Sequence, residues 1–243
     1  MLMTLGDSHA LFNFAGVGGL KIYWRSGVTM HRAARDGIMS LKHRTCRPKP
    51  SDILIISFGE IDSRAHIPRL AKANGRSSIA EADILCDRFH VELNEFRKIY
   101  PATTIALSCI IPFNPDSLEP QHYASAAECL ADAKAIRDHM NNRLTNMGVP
   151  FVDFRSGYSN GDGSIRKEYS DENVHIDARH SKPVIDALKS TFGLELDEIV
   201  PPWPPYPRAE PDLTLVKEYR RAIKNAVKAP FIRVAKSLQA ARQ

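Results

Sequence analysis

Cysteine is scarce in this chain, and its four copies, Cys46, Cys86, Cys109 and Cys129, stand too far apart to form a C-x-x-C pair. That spacing argues against a disulfide framework and against a zinc site. Three of the four fall in apolar stretches, so they read as reduced thiols in the core of a cytoplasmic protein. Long apolar runs are missing as well. No stretch reaches the roughly eighteen apolar residues of a membrane-spanning helix. The apolar start at Met1 is cut by Gly6 and Asp7 before it attains the seven or so residues of a secretory signal core. Phosphate cradles are also lacking: in "GVGG" at 16–19 the dinucleotide pattern runs into Lys21 where it needs Gly or Ala, and no Lys-Ser/Thr pair follows. "HIDARH" brings His175, Asp177 and His180 close together, but no second group at ligand spacing accompanies them. Neither a metal nor a cofactor is expected.

Charge of one sign is lacking only in the body. Residues 201–243 hold nine Lys/Arg against three Asp/Glu, whereas the first 200 hold 24 against 25. The overall +5 therefore belongs to the tail. A neutral body offers no nucleic-acid groove. Three parts follow: a main domain over 1–198, a proline-dense stiff linker over 199–211, and a basic amphipathic helix over 212–243. In the last, Val216, Tyr219, Ile223 and Val227 share one face amid Lys217, Arg220, Arg221, Lys224 and Lys228. Such a face docks on its own domain or on a second copy, or lies on an anionic membrane surface.

What is present is an alternation of apolar runs and amphipathic patterns. "MLMTLGDS", "DILIISFG" at 52–59, "TTIALSCII" at 103–111 and "VPFVDF" at 149–154 are apolar on both faces, as strands of a covered parallel sheet must be, with "LKIYW" at 20–24 a weaker fifth. Helical patterns fill roughly 29–43, 78–99, 122–147 and 181–192. Ile84, Phe89, Leu93 and Phe96 form the stripe of the second, and Leu130, Ile136 and Leu144 that of the third. Ser181 and Pro183 mark the start of the fourth. The fold class is α/β with a mostly parallel sheet and right-handed crossovers. Ligands of such sheets bind beyond the carboxyl ends of the strands, where Ser8 and "GEIDSR" both fall.

Ser8 stands at the end of the first strand. A serine hydroxyl becomes a nucleophile only beside a base that a carboxylate orients. "YSDENVHIDARH" at 169–180 supplies one, with Asp171 and Glu172 four and three residues before His175. By spacing, either acid reaches the imidazole.

Four ordered blocks, "GDSH" at Gly6–His9, "GVT" at Gly27–Thr29, "FGEID" ending at Asp62 and the Asp…His loop, resemble those of the SGNH (GDSL-like) hydrolases. The likeness spans about residues 1–195, and the GEID variant resembles a bacterial subgroup. It implies a three-layer α/β/α sandwich of flavodoxin-like type. Ser8 would be nucleophile, His175 general base, and Asp171 or Glu172 its orienting acid. The implied oxyanion hole uses the backbone N–H of Ser8, that of Gly27 and an Asn side chain. The Asn position is held by Ile61, which has no donor, and Arg64 and His66 are the nearby candidates to replace it. Asp7, His9, Glu60, Asp62 and Arg64 flank these blocks and are the expected substrate contacts. For Glu60 the blander reading is a solvated carboxylate or an ion pair with a base such as Arg64. The implied activity is acyl-ester hydrolysis on a small molecule or glycan, O-deacetylation of a carbohydrate included. The alternatives are an O-acyltransferase using the same residues, or a non-catalytic binding module that has lost its oxyanion hole.

Overall fold

The computed structural model describes residues 1–201 apart from 43, 119, 121 and 122. The basic helix expected over 212–243, and all of the proline-dense linker beyond 201, lie outside the described residues.

Five strands, β1 (Leu2–Gly6), β2 (Lys21–Trp24), β3 (Ile53–Ser57), β4 (Thr104–Ser108) and β5 (Phe151–Val152), form one parallel sheet in the order β2-β1-β3-β4-β5. This is the flavodoxin-like order of a doubly wound α/β fold. Side-chain alternation splits each strand between two cores. Met3, Leu5, Leu54, Ile56, Ile105 and Leu107 point to one face, where α2 (Met30–Asp36), α3 (Ile38–Leu41), α5 (Ser78–Ile99) and α6 (Ala126–Thr145) pack. Leu2, Ile55, Ala106 and Val152 point to the other, against Phe14 and α7 (Lys182–Phe192). Burial on both faces is why the strands are apolar without interruption. All four cysteines are free and buried. Among the described residues no helix is long and apolar enough to cross a membrane.

Several elements depart from the sequence pattern. The helix expected over 29–43 is two helices, because Gly37 adopts φ +83° between them, a value side chains disfavour. The third helix starts later than 122, at a Ser125 cap whose Oγ accepts the Glu128 N–H at 3.1 Å. Its buried stripe is Cys129, Ala133, Ile136, Met140 and Leu144, while Leu130 is exposed. In α5, Ile84 is only half-buried and Leu85 and Cys86 take its place in the core. One helix has no counterpart in that pattern: Asp62–His66 make a π-helical turn that runs into α4 (Ile67–Asn74). β5 is shorter than 149–154, since Pro150 has no N–H to pair and Asp153 turns its carboxylate back onto the Arg155 N–H at 3.1 Å.

The joint that positions the site is at the end of β1. Gly6 lies opposite Ser57 of β3, so close that a Cβ on it would sit 2.0 Å from the Ser57 carbonyl oxygen and 2.9 Å from the Ala10 Cβ. Only glycine lets β1 stay in register and α1 (Ser8–Phe12) start at once. Gly6→Ala should therefore lower the unfolding free energy by about 1–3 kcal/mol, read from urea denaturation. An unchanged midpoint would mean that the two strands part without cost.

Candidate active site

β1 ends at Gly6, and the chain turns at Asp7, whose Oδ1 accepts the His9 N–H at 2.8 Å and caps α1. Ser8 is thereby the first helical residue, and its N–H lies in the turn that has no intrahelical acceptor. Strand order reverses between β1 and β3, which opens the crevice of the fold between the residues that follow them, Ser8 and Glu60.

The distant loop closes on this point. His175 Nε2 lies 2.9 Å from Ser8 Oγ, and His175 Nδ1 lies 2.8 Å from Asp171 Oδ2. Asp171 Oδ1 accepts the N–H groups of Asn173 and His175, each at 2.9 Å, and an antiparallel bridge between Ser170 and Ile176 ties the loop ends. These turn bonds explain a spacing of four: the carboxylate folds back over its own loop to meet the ring. Glu172 is exposed, at φ +66°, with its N–H on Ser170 Oγ. Of the two acids that spacing left open, Asp171 is the one that meets the imidazole. Burial and the hydrogen bond to His175 compete over the Asp171 carboxyl, and the bond holds it below the usual carboxylate range.

Phe12 stacks flat on the His175 ring, with centroids 4.0 Å apart and planes 11° from parallel. Sequence reasoning missed it, although four residues after Ser8 is one helical turn and hence the same face.

Beneath these residues is a buried charge ladder. Glu60, 4% exposed, accepts from Arg64 Nε at 3.1 Å and from the Arg137 guanidinium at 3.0 Å through the same Oε1, while Oε2 faces His9 Nε2 at 3.7 Å. Burial opposes its charge, but His9, Arg137 and Arg64 together hold its carboxyl below the ordinary value. The pairing of Glu60 with Arg64 matches the sequence reading. Arg137, from the middle of α6, was not legible. Of the expected substrate contacts, Asp7, His9 and Glu60 are buried, while Arg64 reaches partly to the surface.

Asp62 is also among these expected contacts. It is wholly buried, accepting the Met30 N–H at 2.7 Å and the His31 N–H at 3.2 Å, with His66 Nδ1 at 3.1 Å. It anchors the start of α2 and takes up His66, one of the two candidate stand-ins for the oxyanion Asn. Arg64, the other, commits its Nε to Glu60. Gly27 lies exposed at φ +67° in the loop before Thr29, the N-cap of α2. Of the "HIDARH" residues, Asp177 pairs with Arg179 and His180 leans on the Tyr169 ring. Among the described residues no group of three His, Cys, Asp or Glu side chains is placed to hold a metal ion.

No family model matches the chain, and no curated protein matches it. Solved structures do. One is a Streptococcus pneumonia protein provisionally described as a platelet activating factor, with TM-score 0.51 and 16% identity over 78% of this chain and 82% of that one. Another is the OSK domain of Drosophila Oskar, at 0.50 and 12% over 79% and 88%. A GDSL-like lipase from Bacteroides thetaiotaomicron gives 0.46 and 12% over 79% and 85%. At the identities of the first two the likeness is one of fold, an α/β sandwich around a parallel sheet.

If Asp62 is an anchor rather than a substrate contact, Asp62→Ala should cost about 1.5–3 kcal/mol of stability for its lost charged hydrogen bonds. Urea unfolding measures this. A variant with intact stability and a raised KM would return Asp62 to the substrate.

Proposed function

We propose that this protein is a serine ester hydrolase that works through a Ser8 acyl-enzyme. The observation that carries the reading is the unbroken chain from Ser8 Oγ through His175 to Asp171, at 2.9 and 2.8 Å. His175 Nδ1–H donates to Asp171, which leaves Nε2 with a lone pair for the serine proton. As Oγ attacks the ester carbonyl, that proton passes to Nε2 and a C–O bond to serine forms. His175 then protonates the departing alcohol as the original ester bond breaks. Water, deprotonated by the same nitrogen, releases the acid and restores the serine.

The negative oxygen formed on the way needs donors. The Ser8 N–H at the start of α1 is well placed in kind, and Gly27 N–H is the second by resemblance. Ile61 supplies none, and one missing donor lowers the rate by about 10²–10³-fold. A slow esterase acting on an activated or short acyl ester, such as an O-acetyl group on a sugar, fits that deficit best. A sugar hydroxyl in place of water would make the same site an O-acyltransferase.

Ile61 also favours a second reading, a binding module that keeps the fold and not the chemistry. Turnover of an acetyl aryl ester separates the two. The hydrolase reading expects Ser8→Ala to fall to background, Asp171→Asn to lose about 10⁴-fold in kcat, and Glu172→Gln to keep wild-type turnover. No turnover in the wild type, on acetyl aryl or acetylated sugar esters, would leave the binding reading standing.

A further inference from the structure

His9 lies directly behind the proposed base, and its surroundings are one-sided. Its Nδ1 is 3.3 Å from Asp7 Oδ1. Its Nε2 is 3.1 Å from the Val174 carbonyl oxygen and 3.7 Å from Glu60 Oε2. Every one of these neighbours is an acceptor. A neutral imidazole has one N–H and one lone pair, so in either tautomer an unprotonated nitrogen lies near oxygen in a site only 3% exposed. Nδ1 makes no hydrogen bond of good geometry, so what favours a second proton on the ring is the carboxylate of Asp7 beside it and that of Glu60 across it. Its centroid is 4.7 Å from that of His175.

We propose that His9 is a buried imidazolium that keeps the neighbouring His175 in its basic form, and so acts as a positioning residue of the serine site. The proposal rests on the hydrolase reading for its kinetic consequence, though not for the charge itself.

Two imidazoles this close do not both hold a proton readily, because like charges in a poorly solvated site repel strongly. The surrounding groups decide which one does. His9 faces two carboxylates, Asp7 from the end of β1 and Glu60 from the end of β3. The second is itself held ionised by Arg64 and by Arg137 of α6. His175 meets Asp171 of its own loop directly and feels Glu60 more weakly, along with the neutral Ser8 hydroxyl and Phe12 ring. The proton therefore goes to His9. Burial works against that charge, yet Asp7 and Glu60 overcome it and raise the His9 pKa to about 9. For His175, burial acts first and the Asp171 hydrogen bond resists it. The His9 charge adds to burial, and the net direction is below the ordinary value. Environments that push two like groups apart in this way separate a fixed charge from a working base. The same repulsion makes protonated His175 a readier proton donor to the leaving alcohol.

The charge is readable without any substrate. In imidazole nitrogen NMR spectra of the wild-type protein at pH 7.5, His9 should carry protons on both ring nitrogens, and His175 on Nδ1 alone. His9 should lose its proton only near pH 9. Because its folded pKa lies above the unfolded value, its contribution to stability is complete below about pH 6.5 and disappears as pH rises to about 9. The difference in stability between wild type and His9→Gln should shrink across that window.

Kinetics test the second half. In His9→Gln the acid limb of kcat/KM should move to higher pH by about one pH unit, because His175 no longer faces a cation. A purely structural role would lower turnover without moving that limb. A neutral His9 at pH 7.5 in the wild type overturns the proposal, and so does an unmoved acid limb in a folded His9→Gln. Should His9→Gln fail to fold, the wild-type titration still decides the charge. Should the protein turn over no ester, the hydrolase reading falls while the spectra still decide which histidine is charged.

Discussion

The buried Glu60 carboxylate is the interaction on which the site depends. It sits just beyond β3 and draws together the turn after that strand through Arg64, the middle of α6 through Arg137, and the start of α1 through His9. Three separate parts of the chain are thus fixed by one anion. Burying it is costly by itself, and removing one partner from such an ion pair typically costs about 3–5 kcal/mol, because the remaining charge is stranded. The ladder therefore holds the floor of the crevice rigid beneath Ser8. Above it, Ser8 Oγ stays within hydrogen-bond reach of His175 Nε2, 167 residues later in the chain.

A second buried carboxylate does related work nearby. Asp62 binds two N–H groups at the start of α2 and the ring of His66 within the π-helical turn. It ties the block after β3 to the block before α2, which carries Gly27. Two residues of the short "GEID" stretch thus serve as struts, one under the serine and one under the neighbouring loop. π-Helical turns are uncommon and often accompany functional sites. Here the turn carries Arg64 back onto Glu60 and His66 back onto Asp62.

Much of this was legible beforehand. The runs of apolar residues located all five strands, because a parallel sheet covered on both faces leaves no polar alternation to mislead. The "GDSH" and "DENVH" stretches pointed to Ser8 and His175, because a serine at a strand end is of chemical interest only beside a base. The errors cluster where local pattern and tertiary demand part company. The pattern over 29–43 read as one helix, and Gly37 divides it. Leu130 fitted an apolar stripe that Cys129 and Ala133 actually occupy. Asp7, His9 and Asp62, expected as substrate contacts, are all buried, a placement that local pattern does not reveal.

By itself the sequence determined the fold class, the strand that presents Ser8, and the loop that presents His175. These follow from periodicity and from turn-forming residues, which act over a few positions. Only the tertiary structure decided that Asp171 rather than Glu172 meets the imidazole. It alone brought Arg137 under Glu60, and surrounded His9 with oxygen on every polar side. Those outcomes depend on which groups remain in a poorly solvated space after distant segments pack. Electrostatics there is set by neighbours a few ångströms away in space and by up to 165 residues in the chain.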